Sequence, residues 1–249
     1  MTTRAQVLGV RVDAGNLESA AAKIIGLAQA GERGYICVAN VHMVVTAKQD
    51  EALKDIMQAA SMVTSDGMPL VWLLRRSGLD ARRVAGPDLL NALFEPAARQ
   101  GIPVYFFGSN QQVLSGIREV LHSRHPDLRI GGMESPAQLG DRPSFDAAAA
   151  GRIGASGARI VFVGLGCPKQ EFWMAQHAEA VPAIMIGVGA AFDFIAGTKR
   201  RAPPWMQRHG LEWLFRLASE PKRLWRRYFL TNSLFLLMLG RDLFRRNPP

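Results

Sequence analysis

Five short apolar runs constrain the fold of this chain more than anything else in it. "YICVAN" (35–40), "MVTS" (62–65), "PVYFFGS" (103–109), "RIVFVG" (159–164) and "AIMIGVG" (183–189) are rich in β-branched and aromatic residues. Each leads into a turn residue: Asn, Asp-Gly, Ser-Asn or Gly. Near-continuous apolarity over so few residues marks strands covered on both faces, as in a parallel sheet. Between them, "EALKDIMQAA", "PDLLNALFEPAARQ" and "QQVLSGIREVLHSRH" space Leu, Ile and Val at helical intervals. Strand alternating with helix predicts a doubly wound α/β sheet over residues 1–198. "VLGVRVDAG" adds a strand or hairpin near the start, and "SPAQLGDRPSF" (135–145) reads as a loop. No internal repeat is present.

The charge is unevenly placed. The net +9 of the 249 residues lies wholly in residues 199–249, which hold 12 Lys/Arg against 3 Asp/Glu; residues 1–198 hold 18 of each sign. Such asymmetry predicts a C-terminal segment that meets something anionic: phosphate, lipid headgroups or nucleic acid. Within it, "LEWLFRLASEPKRLWRRYFLTNSLFLLMLGRDLFRR" (211–246) mixes Trp, Phe and Leu with arginines, and Pro221 is expected to divide this stretch into two helices. Its apolar part, around "LFLLML", gives about a dozen residues, short of the roughly 20 that span a bilayer. An amphipathic, Arg-rich segment lying on a membrane surface fits better; a helical pair packed on its own domain or a partner is the plainer alternative. Two cysteines, Cys37 and Cys167, are too few for a disulfide framework and point to a reducing compartment. The opening "MTTRAQVLGVRVDAG" lacks the basic-then-apolar pattern of a secretion signal.

In doubly wound sheets, ligands bind outside the carboxyl ends of the strands, and the unusual residues cluster there. "VFVGLGCPKQEFW" (161–173) enters a glycine turn in which Gly164 and Gly166 permit close approach to a ligand. A helix starting near Lys169 would aim N–H groups at an anion. The order G-x-G-x-P is neither a dinucleotide fingerprint nor a P-loop, so a simple strand-to-helix turn competes with a ligand site. Cys167 has no neighbouring cysteine for redox work. Asp66 in "VTSDGMP" has two readings: a general base facing the crevice, or an Asx turn capping the next helix. Asn40 either hydrogen-bonds a sugar or base, or closes a turn. His42 is expected to be packed. His122 and His125 lack the partners a metal site needs. On the C-terminal segment, Arg216, Arg223 and Arg226 are spaced seven and three apart; in a continuous helix they would share a face suited to a diphosphate, a register that Pro221 interrupts.

Together, "SDGMPLVW", "RVAGPDLL", "VFVGLGCPKQEFW", "IGVGAAFDFIAG", "KRRAPPWMQRHGLEWLFRL" and "EPKRLWRRY" resemble the WecG/TagA/CpsF glycosyltransferases (glycosyltransferase family twenty-six). The resemblance runs from about Asn40 to the C-terminal segment, and the order and spacing of the pieces are specific. It implies a Rossmann-like α/β domain (1–198) with a helical, basic, membrane-associating appendage (199–249). It implies inverting, metal-independent and cofactor-free transfer of a sugar from a UDP donor to a polyprenyl-diphosphate-linked acceptor. The product would be an intermediate of a surface polysaccharide or exopolysaccharide, made at the cytoplasmic face of the inner membrane by a peripheral protein that does not act on nucleic acid. Self-association is left open. The resemblance assigns the base to Asp66. It assigns donor and substrate contacts to Asn40, Arg83, Asp88, Gly164, Gly166, Lys169, Gln170 and Glu171, and diphosphate binding to Arg216, Arg223 and Arg226. Val38 departs from the family, which often has threonine there, so glucose joins N-acetylmannosamine and its uronic acid as expected donor sugars. An NAD(P)-dependent oxidoreductase and a non-catalytic membrane- or nucleic-acid-binding protein are the competing classes. The former rests on the glycine turns and the latter on the basic segment, whose aromatics could stack on bases.

Overall fold

The computed structural model describes residues 4–246, apart from the side chains of residues 223, 227 and 242–246. The chain opens with a hairpin, β1 (Arg4–Val7) and β2 (Val10–Asp13), then α1 (Leu17–Gln29), β3 (Gly34–Ala39), α2 (Val41–Gln49) and α3 (Glu51–Ala59). There follow β4 (Met62–Ser65), α4 (Met68–Arg76), α5 (Gly86–Arg99), β5 (Val104–Gly108), α6 (Gln111–Arg124), β6 (Ile130–Glu134) and α7 (Ala147–Ala155). Then come β7 (Ile160–Gly164), α8 (Lys169–His177), β8 (Ile184–Gly187) and the short α9 (Ala191–Ile195). Three helices close the chain: α10 (Pro204–Arg208), α11 (Glu212–Ser219) and α12 (Pro221–Arg246).

Six strands form one sheet in the order β4-β3-β8-β7-β5-β6, with every pair parallel. The five apolar runs supply five of the six strands, in an α/β fold with helices on both faces. Side chains alternate across the sheet with the two-residue period of a strand. In β3, Tyr35, Cys37 and Ala39 enter one core while Ile36 and Val38 enter the other. The first core takes α2, α3, α4, α7 and α8, with Trp173 stacked between Phe107 (4.2 Å) and His177 (4.1 Å). The second takes α1, α5, α6 and α9 around Phe94, Phe106, Phe162 and Phe192. Phe106 lies 5.2 Å from Phe162 and 5.7 Å from Phe192, in the tilted contacts aromatic rings favour.

This arrangement opens a crevice. β3 and β8 are neighbours, yet the chain leaves β3 toward α2 on one face and leaves β8 toward α9 on the other. Connections that part to opposite faces leave the carboxyl ends of both strands uncovered, which is where such sheets bind ligands.

Pro221 begins α12 as expected, its fixed φ suiting the first helical turn. α12 packs on α2; Phe235 is buried in the first core, and Leu234, Met238 and Leu239 pack against that core. The C-terminal segment therefore roofs the carboxyl edge rather than trailing from it. Among the described residues, no helix is long and apolar enough to cross a membrane.

Candidate active site

One cavity of about 730 Å³ occupies the crevice. Its floor is the carboxyl edge of the sheet: Val38, Asn40, Asp66 and the Gly187–Ala191 turn. One side comes from α4 (Met68, Pro69, Trp72, Leu73, Arg76), where the spacing places these residues along one helical face. The opposing roof comes from the C-terminal segment, through Glu212, Trp213 and Arg216 and then the α12 face Tyr228, Thr231, Asn232, Phe235, Leu236 and Leu239. Asn40 and Asp66 are the polar side chains of the floor, and the walls mix apolar residues with Arg76, Glu212, Arg216, Thr231 and Asn232.

Asp66 follows β4 directly, its backbone N–H donating to the Ala39 carbonyl at 2.7 Å. The cap of α4 is Gly67, and no side chain caps that helix, so the Asx-turn reading fails and the carboxyl is left to face the cavity. It is half-buried, and its pKa is pushed up from 3.8 to about 6. Burial is the largest cause; Arg83 and Arg216 oppose it, while Glu212 and Asp88 reinforce it. A carboxylate so placed is ionised at neutral pH and holds a proton readily, which suits a general base.

Arg83 is the hub beside it. It donates to Glu212 at 2.8 Å and pairs with Asp88 at 3.4 Å. Asp88, in the first turn of α5, is also gripped by both terminal nitrogens of Arg201, at 2.5 and 2.8 Å. Burial works against the Asp88 charge, yet the Arg201 fork holds its carboxyl below the usual range. Arg201 Nε reaches Glu212 at 3.7 Å. Two arginines and two carboxylates thus stitch α5 to the start of α11. Arg83 lines the cavity, while Asp88 stands behind it as a brace.

Asn40 caps α2, its side-chain oxygen accepting from the Met43 N–H at 3.1 Å, and it also lines the cavity. His42 also lines the cavity.

The glycine turn divides its labour. Gly164 packs against a ring, since a Cβ there would lie 2.6 Å from Phe192. Gly166 lines the cavity at φ +82°, a backbone state that disfavours other residues. Of the three polar residues after it, Gln170 alone lines the cavity. Lys169 turns away and donates to the Leu139 carbonyl at 2.6 Å, fastening the 135–145 loop. Glu171 is fully buried beneath the wall.

The arginines of the C-terminal segment separate as well. Arg216 lines the cavity, its guanidinium 5.7 Å from the Phe194 ring centre. Arg226 is exposed and lies 5.3 Å from the ring centre of the equally exposed Trp225. Arg223 is in α12, and its side chain lies outside the described residues. Residues that sequence reasoning missed are Arg201, Glu212, Arg76 and Trp72. Glu212 carried a signal, being one of only three acidic residues in the basic segment.

A carboxyl group with a raised pKa and an arginine thus line one cavity roofed by the C-terminal helices. The sequence model of the glycosyl transferase WecG/TagA/CpsF family matches residues 5–249, nearly the whole chain, and the protein belongs to that family of glycosyltransferases.

Proposed function

We propose that the protein is an inverting transferase that moves a hexose from a UDP donor to a sugar carried on polyprenyl diphosphate. The donor sugar is glucose, N-acetylmannosamine or N-acetylmannosaminuronic acid, and the product feeds surface polysaccharide or exopolysaccharide synthesis. One observation carries this reading: Asp66, Asn40, Arg216 and the apolar faces of α4 and α12 share a single cavity. Asp66 takes the proton of the acceptor hydroxyl as its oxygen attacks the anomeric carbon from the side opposite UDP. The bond to the β-phosphate breaks, and the charge that develops there needs a cation. Arg83 is committed to Glu212 and Asp88; of the other cavity arginines, Arg216 stands on the C-terminal roof and Arg76 is exposed on α4, and Arg216 is assigned as the cation for the departing diphosphate. The acceptor's lipid end suits the apolar walls, whose mouth is marked by Trp72 and Leu236, 57% and 66% exposed.

The membrane reading is supported by the outer surface of α12. Trp225, Phe229, Leu230 and Leu237 are exposed beside Arg226. Large apolar side chains interleaved with cations fit an amphipathic helix resting among anionic headgroups. We assign the protein to the cytoplasmic face of the inner membrane, as a peripheral protein.

A transfer assay tests the reaction. The three UDP-sugars are offered with a polyprenyl-diphosphate monosaccharide, and the product is read by mass and anomeric configuration. One of them is expected to give an inverted linkage; no product from any of them would sink the proposal. The two described arginines separate the roles. Arg216→Ala is expected to lower kcat about a hundredfold even in detergent, the usual cost of removing a transition-state donor. Arg226→Ala is expected to keep full activity in detergent and lose binding only to anionic vesicles. Equal losses under both conditions for both variants would refute the division.

A further inference from the structure

Glu171 is the site-adjacent acid that the transfer chemistry leaves without a task. It sits in the first turn of α8 with no exposed surface. Its Oε1 accepts from Gln170 Nε2 at 2.8 Å, while Oε2 has no hydrogen-bond partner. Gln170 is 3% exposed and faces the cavity. Its Oε1 accepts two backbone N–H groups, from Gly166 at 3.2 Å and from Gly189 at 3.0 Å. Those N–H groups belong to the turns that follow the neighbouring strands β7 and β8, so one amide ties the two turns together. The amide has one workable orientation. Flipped, its NH2 would confront the two backbone N–H donors of Gly166 and Gly189. Space is equally restrictive: a Cβ on Gly187 would stand 2.8 Å from Gln170 Nε2.

An ionised carboxylate with one oxygen unbonded is costly in such surroundings. Burial pushes Glu171 from 4.5 up to about 8, against the opposing hydrogen bonds from Gln170, its own backbone and Cys167. The other titratable groups identified near it are Cys37, on β3, and Cys167. Glu171 is therefore held as a neutral acid below about pH 8, when its carbonyl oxygen receives the Gln170 amide.

We propose that Glu171 is a positioning residue: it locks the Gln170 amide, and through that amide it sets the spacing of the two glycine turns at the polar end of the cavity. The inference deepens the donor-binding reading above and rests on it for its kinetic consequence, though its structural consequence stands apart. Glu171→Met keeps the volume and removes the acceptor, while Glu171→Gln mimics the neutral acid. Gln170→Met removes the clamp itself and serves as the second route should Glu171→Met fold poorly. Backbone amide exchange at Gly166 and Gly189 is read by NMR on the full chain, alongside donor KM and kcat. Glu171→Met is expected to speed exchange at both glycines about tenfold, with the strands β7 and β8 unchanged, and to raise donor KM about tenfold with kcat within about twofold, the scale of one lost buried hydrogen bond. Gln170→Met is expected to match it in exchange, and Glu171→Gln to return both readouts to within about twofold of the parent. Unchanged exchange at Gly166 and Gly189 in both methionine variants would overturn the proposal, as would a Gln variant as impaired as the Met variant. If UDP-sugars fail to bind the parent protein, the donor reading falls while the exchange measurement still decides the clamp.

Discussion

Replacing Asp66 with Asn is expected to abolish transfer and to make the protein more stable. The loss follows from the chemistry: an amide cannot take the acceptor's proton, and removing a positioned base costs about 10²- to 10⁴-fold. The gain follows from linkage. The folded-state pKa of about 6 lies above the ordinary 3.8. Below about pH 4 the carboxyl is protonated in both folded and unfolded chains. Between 4 and 6 the unfolded chain releases its proton more readily, so the stability of the parent falls as pH rises through that window. Asn suffers no such loss. The difference reaches at most about 3 kcal/mol above pH 6 and fades toward pH 4. Urea melts at pH 4 and pH 8 measure it, and the pH–rate profile of the parent should rise to a plateau above about pH 6. Normal turnover by the Asn variant would remove Asp66 from the mechanism proposed here, and a variant less stable than the parent at pH 8 would refute the raised folded-state pKa.

The second large effect belongs to Arg83→Ala. Arg83 and Glu212 are 15% and 14% exposed, so their 2.8 Å pair is shielded, and deleting the cation leaves Glu212 and Asp88 to Arg201 alone. Breaking such a pair costs about 3 kcal/mol or more. Because Glu212 begins α11, the loss is expected to loosen the C-terminal helices first, read as faster proteolysis within residues 199–220 than within the sheet. Arg83 also lowers the Asp66 pKa, so its removal should move the ascending limb of the pH–rate profile to higher pH. Activity would then be lost more severely at pH 7 than at pH 9. Arg83→Lys keeps the charge but not the fork that serves two carboxylates at once, and should fall between the two. A profile that keeps its midpoint would show that Arg83 braces the helices without tuning the base.

The sheet was legible where strands are buried on both faces, because five apolar runs leave little choice of partner. β6 was not. Ile130–Glu134 contains two glycines and no apolar run, and it lies at the sheet edge, where one side of the ladder needs no partner. The site was legible by position: strand-end residues such as Asn40, Asp66 and Gly166 reach the cavity because the strands are parallel. Direction was less legible. Lys169, Gln170 and Glu171 are consecutive, yet one faces a loop, one the cavity and one the core, since successive helical residues point about 100° apart. Arg216 and Arg226 lie on either side of Pro221, the expected interruption: α11 ends at Ser219 and α12 begins at Pro221, so the two arginines belong to different helices. The Arg201–Asp88 pair joins residues 113 apart, a distance across which a single sequence carries no local pattern.

Glu212 and Arg216 stand four residues apart on α11, so both point to the same side of that helix. The first is held by Arg83 and Arg201, and the second lines the cavity. The ion pairs that seat Glu212 therefore also fix where Arg216 stands, about one turn further along the same helix. What α11 must preserve is the phase between these two positions, with Trp213 beside them lining the same cavity and packing on Tyr228 of α12.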